Sequence, residues 1–304
     1  MDLEREFRSL IISKHLNFLI GSGVSAKSIG LMKDFDTHDD LMKKINIVSK
    51  KLINERCTKL VKENLLEYCS FVRAVVDILN NSNSRQTPKS VNIFTTNYDL
   101  FIEKAADKLS GEYSFVFNDG ANGYFNRVLS SGNYNRTSSY RGLNDNYISE
   151  IPTISLIKPH GSVNWEKVNE EILIKNKVVN NPIIVPPTGD ECRDTFMQNH
   201  YYEMLRLFQL ELDKPQSVLV VIGFSFQDAH IAKMVKRALQ NPEIMMFVFC
   251  YTNEDKEKYI DNLNISRSEH SNLQFITPND FDSKKLSNKN YCTLKDLTNL
   301  MNGF

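Results

Sequence analysis

The chain has no cysteine pair and no excess of charge of either sign. Its five cysteines, Cys57, Cys69, Cys192, Cys250 and Cys292, are scattered, with no Cys-x-x-Cys spacing. A four-thiolate zinc site, and with it a zinc ribbon, is therefore not expected. Their odd number and wide spacing fit a reducing compartment, so a cytoplasmic protein is expected. Lys and Arg together number 37, as do Asp and Glu, and the formal net charge is zero. No run of five basic residues breaks this balance, so the sequence carries no signal for nucleic-acid binding. No apolar run approaches the roughly 20 residues needed to span a bilayer, and no membrane association is expected. The opening residues, Met1-Asp2-Leu3-Glu4-Arg5-Glu6, are charged, unlike a secretory signal.

What is present is 304 residues, 41% of them hydrophobic, ample for a buried core. A single domain is expected over residues 1–304. Four segments share one layout: Leu-Asn-Phe-Leu-Ile into Gly21 to Ser25, Val-Asn-Ile-Phe into Thr95 to Asp99, Ile-Ser-Leu-Ile into His160 to Trp165, and Val-Leu-Val-Val-Ile into Gly223 to Asp228. Each runs from apolar residues into small, polar or ionisable ones. In an open α/β sheet the carboxyl ends of the strands face the ligand crevice. Four such ends predict one site.

Residues 2–14 read as an amphipathic helix. From about 39 to 80, Leu65, Leu66, Cys69, Val72, Val76 and Leu79 recur at three- and four-residue spacing. This predicts a small helical insertion over about 31–87, between the first two core strands, with a polar linker ending near Pro88. A helix at 99–109 and a strand at 113–117 follow. Residues 118–150 are expected to form a long loop or irregular hairpin. Loops of this length are often lids or binding loops, and a plain surface excursion is the alternative. A short strand is expected at 183–185, stopped by Pro186-Pro187, and a helix at 201–212. Strands at 218–222, 245–251 and 273–277 then alternate with helices at 228–239 and 254–263. A polar tail, 280–304, carries one short helix near 294–301. The alternation predicts an α/β fold: a Rossmann-like parallel sheet with helices on both faces.

Gly21 and Gly23 open the first strand-to-helix turn, where glycine lets backbone approach a phosphate; a tight turn without ligand is the alternative. Ser25 can cap a helix or bond a phosphate oxygen. Asn97, read alone, is a turn former, since Asn commonly bonds its own backbone. Asp99 can face the site, cap the next helix, or both. His160 lies between Pro159 and Gly161; histidine as a residue type can act as a general base near neutrality, and a structural role is the alternative. Asp228 is expected as a helix cap, and Trp165, the one tryptophan, as a packing anchor.

Taken in order, Gly21-Ser22-Gly23-Val24-Ser25, Thr95-Thr96-Asn97-Tyr98-Asp99, His160-Gly161-Ser162 and Gly223-Phe224-Ser225 resemble the sirtuin superfamily, in particular its bacterial branch of NAD-degrading antiphage defence proteins. The likeness runs from about residue 17 to 251. It implies NAD as the substrate, with Asn97 beside the nicotinamide ribose and His160 facing the ribose of the scissile bond. It implies that Asp99 lies near the nicotinamide pocket, and that Gly223 and Ser225 contact the adenosine ribose. Gly21, Ser22, Gly23, Ser25 and Thr96 complete the implied cofactor contacts. The family usually has Ala where Ser22 stands, which bears on the fit of the diphosphate.

The implied reaction is hydrolysis of the nicotinamide–ribose bond, with Asn97 and His160 as the catalytic pair and no metal. One rival is protein deacylation. Its structural zinc would need cysteine pairs, and its Phe-Gly-Glu segment is replaced here by Ile183-Ile184-Val185-Pro186-Pro187. A non-catalytic NAD or ADP-ribose sensor and a pure scaffold are further alternatives. Within the defence branch, the excursion before His160 and the stretch from Tyr202 to Asp228 resemble short subunits that assemble with a HerA-type hexameric ATPase. That likeness implies a homo-oligomer gated by such a partner.

Overall fold

The structure, a computed structural model, describes residues 3–82, 89–141, 150–185, 199–266, 270–281, 286–288 and 290–303. The chain enters through helix α1 (Leu3–Ser13) and strand β1 (His15–Ile20). Helices α2 (His38–Ile53) and α3 (Lys59–Asn81) follow. Thr37 caps α2 by accepting the Asp40 N–H, Asp39 and Asp40 sit in its first turn, and Lys50 and Lys51 sit in its last. That arrangement complements the helix dipole. The one helical pattern expected over 39–80 is thus two helices. Asn54 ends the first, and Glu55 turns the chain at φ 57°.

Strand β2 (Ser90–Thr95), helix α4 (Phe101–Leu109) and strand β3 (Val116–Asn118) come next. The strand expected at 113–117 is therefore shorter and later. The excursion after it holds a small hairpin, β4 (Ala121–Asn122) and β5 (Val128–Leu129), and a 3-10 turn, Ser131–Asn135. Its residues 142–149 lie outside the described residues. Strand β6 (Thr153–Ile157) leads to a second hairpin, β7 (Trp165–Val168) and β8 (Glu171–Ile174), which the sequence pattern did not signal. The two hairpins join in one antiparallel sheet, in the order β4-β5-β8-β7. Residues 183–185 form no strand; a single bridge joins Ile184 to Gly161. Pro186-Pro187 lies outside the described residues.

The last part alternates as expected: α5 (Asn199–Asp213), β9 (Ser217–Ile222), α6 (Ala229–Ala238), β10 (Met245–Phe249), α7 (Asp255–Leu263), β11 (Leu273–Ile276) and α8 (Leu294–Asn302). Seven strands form one parallel sheet in the order β11-β10-β9-β1-β2-β6-β3. β9 is buried along its whole length, as a strand covered on both faces must be.

Side chains alternate between two cores. Leu16, Phe18, Ile20, Val218 and Val220 join residues of α1 to α4 and α8. Leu19, Phe94, Leu219 and Val221 join residues of α5, α6 and α7. An edge-on aromatic pair marks each face: Phe18 with Phe71 of α3 at 5.0 Å, and Phe94 with Phe208 of α5 at 4.8 Å. Each such contact adds about 0.5–1.5 kcal/mol beyond the area it buries. Because Phe71 rests on β1, the segment expected as a helical insertion supplies part of the main core. The fold is thus the expected α/β architecture, with a parallel sheet between two helical layers.

Candidate functional site

Strands β9, β1, β2 and β6 are consecutive neighbours in the sheet. Their carboxyl ends carry the four motifs singled out in the sequence. With strands about 4.8 Å apart, these ends span on the order of 15 Å. After β1 the chain fills the β2 side of the sheet, then returns to fill the β9 side. The gap between β1 and β9 is the switch point where open α/β sheets bind ligands.

At that gap the two glycine segments touch. Gly21 donates its N–H to Ile222 O at 3.0 Å, and Gly23 donates to Gly223 O at 2.9 Å. A Cβ on Gly21 would lie 2.3 Å from Gly223 O, and one on Gly23 would lie 2.9 Å from the Gly223 Cα. Gly223 itself has φ +66°. These glycines therefore serve backbone-to-backbone packing, whatever else they do. Val24 and Ser25 also give their N–H groups to carbonyls of the turn. Ser22 and Gly23 are exposed, while Gly21 and Ser25 are buried.

Ser25 faces inward. Its hydroxyl donates to Asp99 Oδ2 at 2.9 Å and lies 2.9 Å from the Tyr68 hydroxyl, a fully buried group on α3. Asp99 Oδ1 accepts the Phe101 N–H at 3.2 Å, so Asp99 both caps the start of α4 and faces the turn. Burial raises the Asp99 carboxyl above its ordinary value; nearby Lys158 and its two hydrogen bonds act in the opposite direction. Asn97 donates from Nδ2 to Gly21 O at 3.1 Å. Its Oδ1 is buried and accepts no hydrogen bond. Thr96 stands half-buried between Asn97 and Thr95, whose hydroxyl donates to Ile20 O at 2.8 Å.

His160 is buried at the end of β6, and its Nε2 lies 3.1 Å from Asp228 Oδ2. The two are close enough for an ion pair but not lined up for a straight hydrogen bond, and Oδ2 has no other partner. Asp228 Oδ1 accepts the N–H groups of His230 and Ile231 and so caps α6, as expected. Burial works to raise the Asp228 carboxyl. His160 and the two helix N–H groups outweigh it and hold the carboxyl below its ordinary value. Gly161, at φ +84°, passes so close to Ile183 that no side chain would fit. Ser225 is half-buried, and its carbonyl accepts Asn262 Nδ2 at 2.7 Å. Phe226 keeps the left-handed φ of 59° although it is bulky and buried. Trp165 is buried in the core beneath α5, as a packing anchor.

Lys158 and Tyr68 were not singled out from the sequence. Lys158 is 2% exposed and donates to Asp99 O at 2.6 Å, Glu103 Oε1 at 2.6 Å and Ser162 Oγ at 3.0 Å. It ties the Asn97–Asp99 segment to the His160–Ser162 segment. Burial raises the Glu103 carboxyl, and Lys158 opposes that rise. A lysine closing an apolar run before Pro159 was the one available signal. Tyr68 left none, because its spacing only continues the helical pattern of α3.

Among the described residues, no group of three or more His, Cys, Asp or Glu could hold a metal ion, and no helix is long and apolar enough to cross a membrane. A polar cavity of about 180 Å³ opens at the amino ends of β1, β2 and β6, beside His15, Asn17, Asn92 and Ser155; it contains none of the expected site residues. No curated protein matches the chain. A SIR2-like domain is matched over residues 91–276, more than half the chain, taking in Asn97, His160 and Gly223 but not the Gly21–Gly23 turn. The chain therefore belongs to the SIR2-like family of sirtuin-like proteins.

Proposed function

We propose that the protein hydrolyses NAD to nicotinamide and ADP-ribose. The observation that carries this is the unsatisfied Oδ1 of Asn97, a buried acceptor fixed through Nδ2 to the carbonyl of the glycine turn. A buried polar atom without a partner costs about 1–3 kcal/mol, so it marks a place where a ligand hydroxyl or water is wanted. A ribose hydroxyl or the attacking water supplies such a donor. SIR2-like membership supports NAD as the molecule concerned.

The ring nitrogen of nicotinamide is cationic while bonded to ribose. When that bond breaks, its electron pair returns to the ring and nicotinamide leaves neutral. The ribose becomes oxocarbenium-like, as in glycoside hydrolysis. The water oxygen then bonds to the ribose carbon, and its proton passes to His160. Asn97 holds the ribose or the water in line. Gly21, Ser22, Gly23, Ser25, Thr96, Asp99, Gly223 and Ser225 form the cofactor cleft in this proposal, with Ser25 and Asp99 acting from beneath as its buried support. Chromatography of NAD incubated with the purified protein tests the proposal. Asn97→Ala and His160→Ala should each abolish nicotinamide release while keeping the folded circular-dichroism spectrum. Unchanged release in either folded variant rejects the catalytic pair.

The same resemblance supports a role as an antiphage effector that forms a homo-oligomer and is switched on by a HerA-type ATPase. Its basis is the likeness of the residue 118–150 excursion and the Tyr202–Asp228 stretch to such subunits.

A further inference from the structure

We infer that Asp228 is the positioning residue of His160: it holds the imidazole with its proton on Nε2, leaving the lone pair on Nδ1. The catalytic consequence rests on the hydrolase proposal; the pairing itself does not. Three features of the structure carry the inference.

The first is the division of labour within one carboxylate. Oδ1 is taken by two backbone N–H groups, at 2.9 Å to His230 and 3.1 Å to Ile231. That fixes the plane of the carboxylate and leaves Oδ2 beside Nε2, 3.1 Å away. A carboxylate needed only as a cap would use one oxygen and turn the other to water. Here Oδ2 is buried and accepts no hydrogen bond, with the His160 Nε2 3.1 Å away.

The second is burial. Only 10% of the His160 side chain and 12% of the Asp228 side chain reach solvent. In so dry a setting an unpaired carboxylate oxygen is costly, and a histidine N–H is the cheapest donor at hand. Catalytic hydrogen bonds commonly start loose and tighten when ligand arrives.

The third is the backbone before Asp228. Phe226 sits at φ 59°, a conformation a bulky residue adopts only when its surroundings impose it. Its ring is held between Phe224, at 5.3 Å, and Tyr259, at 5.9 Å. This packed turn sets where α6 starts, and so where the carboxylate stands. The neighbouring ionisable groups cannot replace it. His230 and Lys233 on α6 bear no negative charge, and Lys158 on the β6 side is turned to Glu103.

The test uses the full chain labelled with ¹⁵N-histidine, with the His160 signals assigned by His160→Gln. Long-range proton–nitrogen spectra report which ring nitrogen carries the proton, independently of activity. In the wild-type protein the neutral His160 ring should show the Nε2–H form. Asp228→Asn keeps a good helix cap, because Asn and Asp cap equally well. Its amide N–H, however, faces Nε2 and should turn His160 to the Nδ1–H form. NAD turnover should fall at least about 100-fold in Asp228→Asn, by analogy with histidine-orienting carboxylates elsewhere. Asp228→Ser, a cap too short to reach the ring, should also lose turnover while its thermal midpoint stays close to wild type. An Nδ1–H form in the wild-type protein overturns the inference, as does an Asp228→Asn protein with wild-type tautomer and turnover. An Nε2–H form that is lost in Asp228→Asn, in a protein that leaves NAD intact, upholds the pairing and rejects the hydrolase proposal instead.

Discussion

Ser25 and Asp99 are joined by a buried hydrogen bond of 2.9 Å between the ends of adjacent strands β1 and β2. The bond places a carboxyl under the glycine turn, where burial raises it above its ordinary value of 3.8. The Tyr68 hydroxyl lies on the other side of Ser25, so α3 shares in fixing the turn.

Asp99 should leave a signature in the pH dependence of stability. Between 3.8 and its raised folded value, the native state holds more protons than the unfolded chain. Its contribution therefore favours folding at the acid end of that interval and weakens as pH rises through it. Asp99→Asn cannot titrate and should lack this step. In urea unfolding followed from pH 4 to pH 8, the stability difference should shift toward the variant as pH rises. Parallel curves for the two proteins would contradict the assignment.

Lys158 gives a second prediction. Removing one partner of a buried ion pair costs about 3–5 kcal/mol, because the other charge is left behind. Glu103 keeps 21% of its side chain at solvent although densely surrounded. Lys158→Met should therefore lose stability near the lower end, about 3 kcal/mol. Adding Glu103→Gln should restore a substantial part of it. Denaturant midpoints for the two single variants and the double variant close the cycle, and simple additivity would show the pair to be uncoupled.

Glycine packing at the switch point gives a third. Gly21→Ala drives a methyl to 2.3 Å from Gly223 O, which is backbone and cannot swing aside. Overpacking of this kind costs on the order of 3 kcal/mol. Gly132→Ala, whose nearest neighbour is a Ser130 hydroxyl at 3.8 Å, serves as the control and should change little. Thermal unfolding of both variants decides it; an equally small effect at the two positions would mean that the β1 and β9 ends can part freely.

The proposed assembly is tested by light scattering of the protein alone and with a HerA-type ATPase, paired with the nicotinamide assay. A homo-oligomer is expected, with turnover that rises when the partner is added. A monomer with full activity alone would rule out gating by assembly and leave the hydrolase proposal intact.

The sheet was legible because its strands are unbroken apolar runs, such as Val218 to Ile222, that end in abrupt polar clusters. The grouping of those clusters was legible for the same reason: parallel strands bring like ends together. The β7–β8 hairpin was not. Its strands are four residues each and exposed in part, and its turn at Asn169 lacks the usual glycine, so only tertiary pairing defines it. The break between α2 and α3 was hidden because Glu55 takes a left-handed turn without Gly or Pro to announce it. Asp228 was half legible. Its position before Ile231 and Val235 signals a cap, whereas its second oxygen meets a histidine from a distant strand. No local pattern encodes that meeting, nor the three-way grip of Lys158.

The ladder between β1, His15–Ile20, and β9, Ser217–Ile222, joins two strands about 200 residues apart in the chain. A growing chain folds from its N-terminus as it is made. Until β9 has left the ribosome, β1 is a bare sheet edge, Gly23 has no Gly223 to rest on, and His160 has no Asp228. The cleft is thus completed only after most of the chain has been made. Any fragment released before residue 228 lacks Asp228 and with it the partner of His160.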